Sequence, residues 1–282
     1  MAINSALYDQ IVSAMVMKTL ANKLAPLRAL STDFTEEFAS KKGLTMDVGL
    51  ASGNTVVQDP TNYEAGDSNI APLQVVLNEQ SVSWNVTNAD YNASSAARIE
   101  NGLQANLDNL ADAIWDVVAT LISEANFGAS IIDAAQTLFS VDDAKTAWAS
   151  IPKVGDKHLI LDSVAYSELM PSDRNGFDLS SMGAYGFAGI HNATKWDAAS
   201  NSAYGFAGGR DAIIAGSKLP ELQEEVREQL SSYEVITIPG INLSVLYARW
   251  AALGSRKAWA SVGVYFGAAV GQAAAGKLIA SV

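Results

Sequence analysis

The chain has 282 residues, 49% of them hydrophobic, enough for one large domain or two small ones. A net charge of −12 argues against a dedicated nucleic-acid binder, and the absence of cysteine excludes disulfides and thiolate metal sites. Charged residues are only 17%, low for a lone soluble enzyme, so part of the surface is expected to be buried against other subunits.

Between Met1 and Lys18 there is neither the basic start nor the sustained apolar run of a secretion signal. Ile3, Leu7, Ile11 and Met15 recur there at helical spacing, and Pro26 limits the run, which predicts an amphipathic helix over 3–25. A lone helix of that length is marginal in water and needs something to pack on. Residues 31–38 read as an irregular, partly acidic connection. Leu44, Met46, Val48 and Leu50 then alternate with polar or small residues, as do Val82, Trp84 and Val86, and these two runs read as a pair of half-buried strands. Between them, 51–71 is rich in Gly, Asn, Asp, Ser and Pro, with Leu73–Leu77 climbing back. This is a long hairpin whose tip is too polar to hold a core, either a mobile surface loop or a functional one. No Lys or Arg stands between Lys42 and Arg98, whereas Asp47, Asp59, Glu64, Asp67, Glu79 and Asp90 do. The arm is acidic and suited to a basic surface.

The strongest pattern lies in 88–127, where Ile99, Leu103, Leu107, Leu110, Ile114, Val117 and Leu121 draw one apolar stripe. A single long helix is expected, capped by Asn88 and ended by Gly128, with Gly102 marking a bend or a close backbone approach. It is either the core helix of an α+β domain or a spine across which an extended subunit is built. Asp108, Asp112 and Asp116 fall four apart on it, so like charges stack on one face. That face is solvated, or meets a basic partner such as a neighbouring subunit or an assembly factor, or holds a divalent ion.

Farther on, Ser140 caps a helix through Ala149, His158–Leu161 reads as a buried strand and Val164–Met170 as a helix. Residues 171–209 read as loop and carry an internal repeat: 184–189 and 203–208 both spell A-Y-G-F-A-G. Two six-residue copies do not make a solenoid. They are equivalent loop corners or strand ends whose aromatics pack together. Strands follow at 211–215, 233–238, 243–247, 259–266 and 278–282, with a charged helix or turn at 219–229. Residues 258–275, mostly Gly, Ala and Ser, read as a buried strand and a close-packed turn rather than a membrane span.

No catalytic constellation emerges. His158, Asp162 and Ser163 share no evident site, and no nucleophile elbow surrounds the serine. His158 reads as a strand-edge residue and His191 as a loop hydrogen-bonder. Gly216-Ser217-Lys218 lacks the spacing of a phosphate loop, and Gly205, Gly208 and Gly209 do not fit a dinucleotide fingerprint. The expectation is a protein that is not an enzyme and carries no cofactor or catalytic metal.

The order of parts, with P-L-R-A-L-S-T-D-F at 26–34, S-E-A-N-F-G at 123–128, Y-G-F-A-G-G-R-D-A-I-I-A at 204–215 and W-A-S-V-G-V-Y-F-G-A-A-V-G at 259–271, resembles the major capsid proteins of tailed double-stranded-DNA bacteriophages. The resemblance implies an α+β fold with an N-terminal arm (1–42), an extended hairpin loop (43–80) and a peripheral domain with the spine helix (81–127). An axial domain with connecting segments (128–265) and return strands (266–282) complete it. It implies self-assembly as hexamers and pentamers into an icosahedral capsid that encloses DNA without sequence-specific binding, in the virion, assembled in the host cytoplasm. A separate scaffolding protein, a portal and decoration proteins are the implied partners, with no membrane. Candidate subunit contacts are Asp59, Tyr63, Glu64 and Asp67 on the hairpin, Asp108, Asp112 and Asp116 on the helix, and Tyr185, Phe187, Tyr204 and Phe206 in 183–209, expected near the capsomer axis. Some relatives join a hairpin lysine to a neighbour's asparagine. Here 43–87 contains no lysine, so a shell without covalent cross-links is expected. The nearest alternative is an encapsulin-type bacterial compartment, and a different class would be an α+β enzyme or a secreted binding protein.

Overall fold

The computed structural model describes residues 5–39, 44–51, 70–86, 96–132, 134–152, 155–170, 186–196, 203–222, 224–251 and 258–281. In chain order the elements are α1 (Ser5–Lys23), β1 (Ser31–Ala39), β2 (Thr45–Ala51), β3 (Ile70–Val76), β4 (Asn78–Val86), α2 (Ala96–Ala119), α3 (Glu124–Phe127), α4 (Val141–Ser150) and β5 (Lys157–Asp162). They continue with α5 (Ser163–Glu168), β6 (Gly189–Ala193), β7 (Ala203–Gly209), β8 (Ile213–Pro220), α6 (Glu224–Arg227), β9 (Leu230–Thr237), β10 (Ser244–Ala251), β11 (Ala258–Val270) and β12 (Gly276–Ala280).

The larger sheet is built on β11, a 13-residue strand that runs beyond the expected 259–266 into the Gly/Ala-rich segment read as a turn. One edge of β11 pairs with β4 over 258–266. The other takes β10 over 258–263 and then β8 over 265–270, so one long strand serves three neighbours. β9 extends the sheet beyond β10, and β1 runs parallel to β8 from Ser31↔Ile214 onward. Residues 31–39 are therefore a strand and not an irregular connection. Their weak local pattern is overridden by the partner edge that β8 offers, the usual fate of β-propensity.

The hairpin is real, but its partners differ from the expected ones. β2 pairs antiparallel with β3, from Thr45↔Val76 to Ala51↔Ile70, while the 82–86 run belongs to β4 and pairs with β11. Met46, Val75 and Leu77 close over Ile214, fixing the foot of the hairpin to the larger sheet.

α1 and α2 pack on each other and cover this sheet. α1 is turned partly from its expected face: Met15 is buried and Ile11 packs on the core as expected, but Leu7 is 43% exposed, and Tyr8, Val12, Val16 and Leu20 are buried. Polar anchors set that rotation. Trp84 Nε1 donates to the Tyr8 hydroxyl at 3.0 Å, Tyr247 donates to Asp9 at 2.7 Å, and Arg249 Nε lies 3.0 Å from Asp9 Oδ1. A helix turned to suit Leu7 would carry Asp9 away and leave the buried Arg249 without this carboxylate, costing several kcal/mol.

The spine helix is shorter than its pattern. α2 spans 24 residues, about 36 Å, and the chain turns at Thr120 before α3, which Gly128 ends at φ +78°. The expected start at Asn88 lies outside the described residues. Gly102 neither breaks α2 nor admits a close neighbour, since a Cβ there would meet nothing within 4 Å.

The smaller sheet has the order β12-β7-β5-β6. Here 171–209, expected as loop, supplies two strands. β5 is interior, pairing parallel with β6 and antiparallel with β7. α4 and α5 cover its far face. Ser140 and Asp143 form the capping box of α4, and Asp162 caps α5 by accepting from the Ala165 amide. The range 128–265, expected to hold an axial domain with connecting segments, contributes strands to both sheets, with β8, β9 and β10 in the larger.

Candidate functional site

The stacked carboxylates of α2 find their counter-charges within the chain. Lys23 Nζ lies 3.4 Å from Asp108 and 3.6 Å from Asp112, and Lys195 Nζ lies 2.9 Å from Asp116. Beside that last pair, Trp196 meets Trp115 edge-on at 5.8 Å. Of the alternatives for this face, basic groups are met within the chain, from α1 and from the segment after β6. Half-exposed pairs of this kind are worth under about 1 kcal/mol each, and they tie α2 to both neighbours rather than form a cation site. Among the described residues, no three His, Asp or Glu side chains converge as metal ligands.

Phe187, Tyr204 and Phe206, expected at subunit contacts, are 3%, 0% and 2% exposed. They are interior residues. Phe206 meets Phe127 at 4.8 Å on one side of β7, while Tyr204 meets Phe139 at 6.0 Å on the other and donates to the Ala134 carbonyl at 2.8 Å. A register shift between β7 and β12 at Tyr204 separates them, because an extra residue turns the next side chain to the opposite face. Burial, then the charges of Asp143 and Asp162, push the Tyr204 phenol up to about 12. Asp59, Tyr63, Glu64, Asp67 and Tyr185 lie outside the described residues.

The imidazoles also depart from expectation. His158 sits on an interior strand, and His191 is in β6, not a loop. Their nitrogens approach to 3.3 Å, and Arg210 Nε donates to His158 Nε2 at 3.4 Å. Burial, then the Arg210 charge, lower the His158 pKa against a smaller opposing effect of Asp156. Burial, then His158, Arg28 and Arg210, lower His191 to about 4. Ser163 donates to Asn192 and Asp162 caps a helix, so neither joins His158 in a catalytic set. The repeat held the signal that sequence reasoning missed. Its two copies end on Gly189 and Gly208, both register partners of His158, and each is followed two residues on by His191 or Arg210.

One hairpin-edged sheet under two helices, joined to a smaller helix-covered sheet by returning C-terminal strands, makes an α+β fold. Similar architecture appears in a virus-like particle from Pyrococcus furiosus, at 10% identity and TM-score 0.53 over 94% of this chain and 96% of that one. It also appears in the capsid of a native GTA particle, at 12% identity and TM-score 0.50 over 93% and 90% of the two chains. At such identities the likeness is one of fold. No protein-family model matches the sequence, and no curated protein matches it. No helix among the described residues is long and apolar enough to cross a membrane.

Proposed function

We propose that this chain is a structural shell protein that self-assembles, as hexamers and pentamers, into an icosahedral capsid enclosing double-stranded DNA. The observation that carries the reading is the extent of the likeness. Nearly the whole chain corresponds to nearly the whole of a virus-like-particle subunit. Support comes from the β2–β3 hairpin, held at its foot by Met46, Val75 and Leu77, and from the sequence between its strands, 52–69, which carries Asp59, Glu64 and Asp67 and no Lys or Arg. Such a hairpin suits contact with a neighbouring copy, with Asp59, Tyr63, Glu64 and Asp67 as the contacting groups. Tyr185 and the smaller sheet would face the symmetry axis. A scaffolding protein, a portal and decoration proteins complete the proposed virion, assembled in the host cytoplasm.

The test is negative-stain microscopy of the expressed chain, alone and with its genomic neighbours. Closed particles are expected, and a strictly monomeric chain under every condition would refute the proposal. Particles that enclose protein cargo and exclude DNA would favour an encapsulin-type compartment. Boiling in detergent should return a single monomer band, since 43–87 offers no lysine nucleophile for cross-linking.

A further inference from the structure

Positive charge gathers where the 3-10 turn at Ala25–Ala29 meets the smaller sheet. Arg210 Nε donates to His158 Nε2, and His158 Nδ1 faces His191 Nε2. That chain assigns the tautomers: neutral His158 accepts at Nε2 and carries its proton on Nδ1, so His191 accepts at Nε2 and carries its own on Nδ1. Arg28 and Arg210 both act electrostatically on His191. Both arginines are exposed, and among the described residues neither has a carboxylate within 4.0 Å. In a chain with 30 acidic and 18 basic residues, two such arginines beside a histidine pair are conspicuous. The acidic group whose charge reaches His158 is Asp156, itself exposed.

Two glycines keep the place clear. A Cβ on Gly189 would lie 2.8 Å from His191 Nε2 and 3.2 Å from His158 Nδ1. One on Gly240, at φ +79°, would lie 2.5 Å from Arg28 Nη2. Any larger residue would displace the imidazoles or the guanidinium. We propose that Arg28, Arg210 and His191 form a binding site for a phosphate group, the guanidiniums supplying charge and forked donors and the imidazole Nδ1–H a neutral one. Phosphate matches this site better than carboxylate does, because its charge of about −1.5 to −2 balances both arginines. A nucleic-acid phosphodiester offers similar oxygens but a single negative charge, so the charge balance favours free phosphate and duplex DNA is the contrasting arm of the test.

Calorimetric titration at pH 7 and constant ionic strength tests the site on the intact chain, with inorganic phosphate in one arm and a short DNA duplex in the other. Saturable binding is expected, weakened about tenfold or more in Arg28→Gln and in Arg210→Gln. Binding of phosphate alone assigns free phosphate as the ligand, and binding of duplex assigns the nucleic-acid backbone. A second readout does not depend on the variants folding. The protein has two histidines, so imidazole C2–H exchange followed by mass spectrometry resolves each of them. Sulfate, doubly charged throughout the range, should raise the His191 midpoint by about 1 pH unit or more over chloride. No saturable binding in either arm, binding indifferent to both arginines, or an equal response to acetate would each overturn the proposal.

Discussion

The two copies of A-Y-G-F-A-G have identical sequences and different structures. The second is β7, buried along its whole length between two strands. Of the first, the described part begins with Gly186 in the left-handed region at φ +89°, runs through buried Phe187, and becomes edge strand β6 only at its last residue. The central glycine permits both outcomes, because it alone adopts left-handed and extended backbone without penalty. Neighbours decide which occurs. Trp148 Nε1 donates to the Gly186 carbonyl at 2.8 Å, with its ring against the glycine, whereas Gly205 is flanked by Ile279 of β12 and Leu161 of β5. Identical letters thus take the conformation their partners complete.

The largest test of this contrast is Phe206→Ala, which should cost about 3–5 kcal/mol in urea unfolding of unassembled subunits. Phe206 sits between β7 and α3, where little can collapse into the space. Phe187→Ala should cost less, because the exposed Gly186 beside it can settle. Equal losses would erase the distinction.

The next largest effect is acid destabilisation. With the folded His191 pKa near 4 and an unfolded value near 6.5, the unfolded chain takes up the proton first as pH falls. Stability is then complete above about pH 6.5 and declines toward pH 4, by up to about 3 kcal/mol. In chloride buffer, His191→Gln should flatten the dependence of the urea midpoint on pH within that window. An unchanged slope would mean that the pair titrates normally.

Gly186→Ala comes third, at about 1–3 kcal/mol, since it forces a left-handed alanine whose Cβ would lie 2.8 Å from Trp148 Nε1. Trp148→Phe, which keeps a ring and removes the donor to Gly186, should cost only about 0.5–1.5 kcal/mol. The smallest change is a gain. Gly102→Ala, in mid-helix with open space around it, should stabilise by about 0.5–1 kcal/mol and gives the baseline for a glycine without a steric reason. A loss there would point to an undetected packing role.

What the sequence determined by itself was everything written in local periodicity and chemistry. The stripe from Ile99 to Leu121 marks the spine helix, Ser140 marks the start of α4, and the buried apolar run at 259–266 marks β11, because each signal is completed within a few residues. Only the tertiary structure decided the rest. The strand at 31–39 exists because β8 offers it an edge, α1 is rotated by Asp9 meeting Arg249 across 240 positions, and Lys23 and Lys195 reach the α2 carboxylates from elements remote in sequence. The arginine–histidine cluster is the clearest case. His158, His191, Arg210 and Arg28 lie on four separate segments, and strand register, which no local pattern encodes, brings them together.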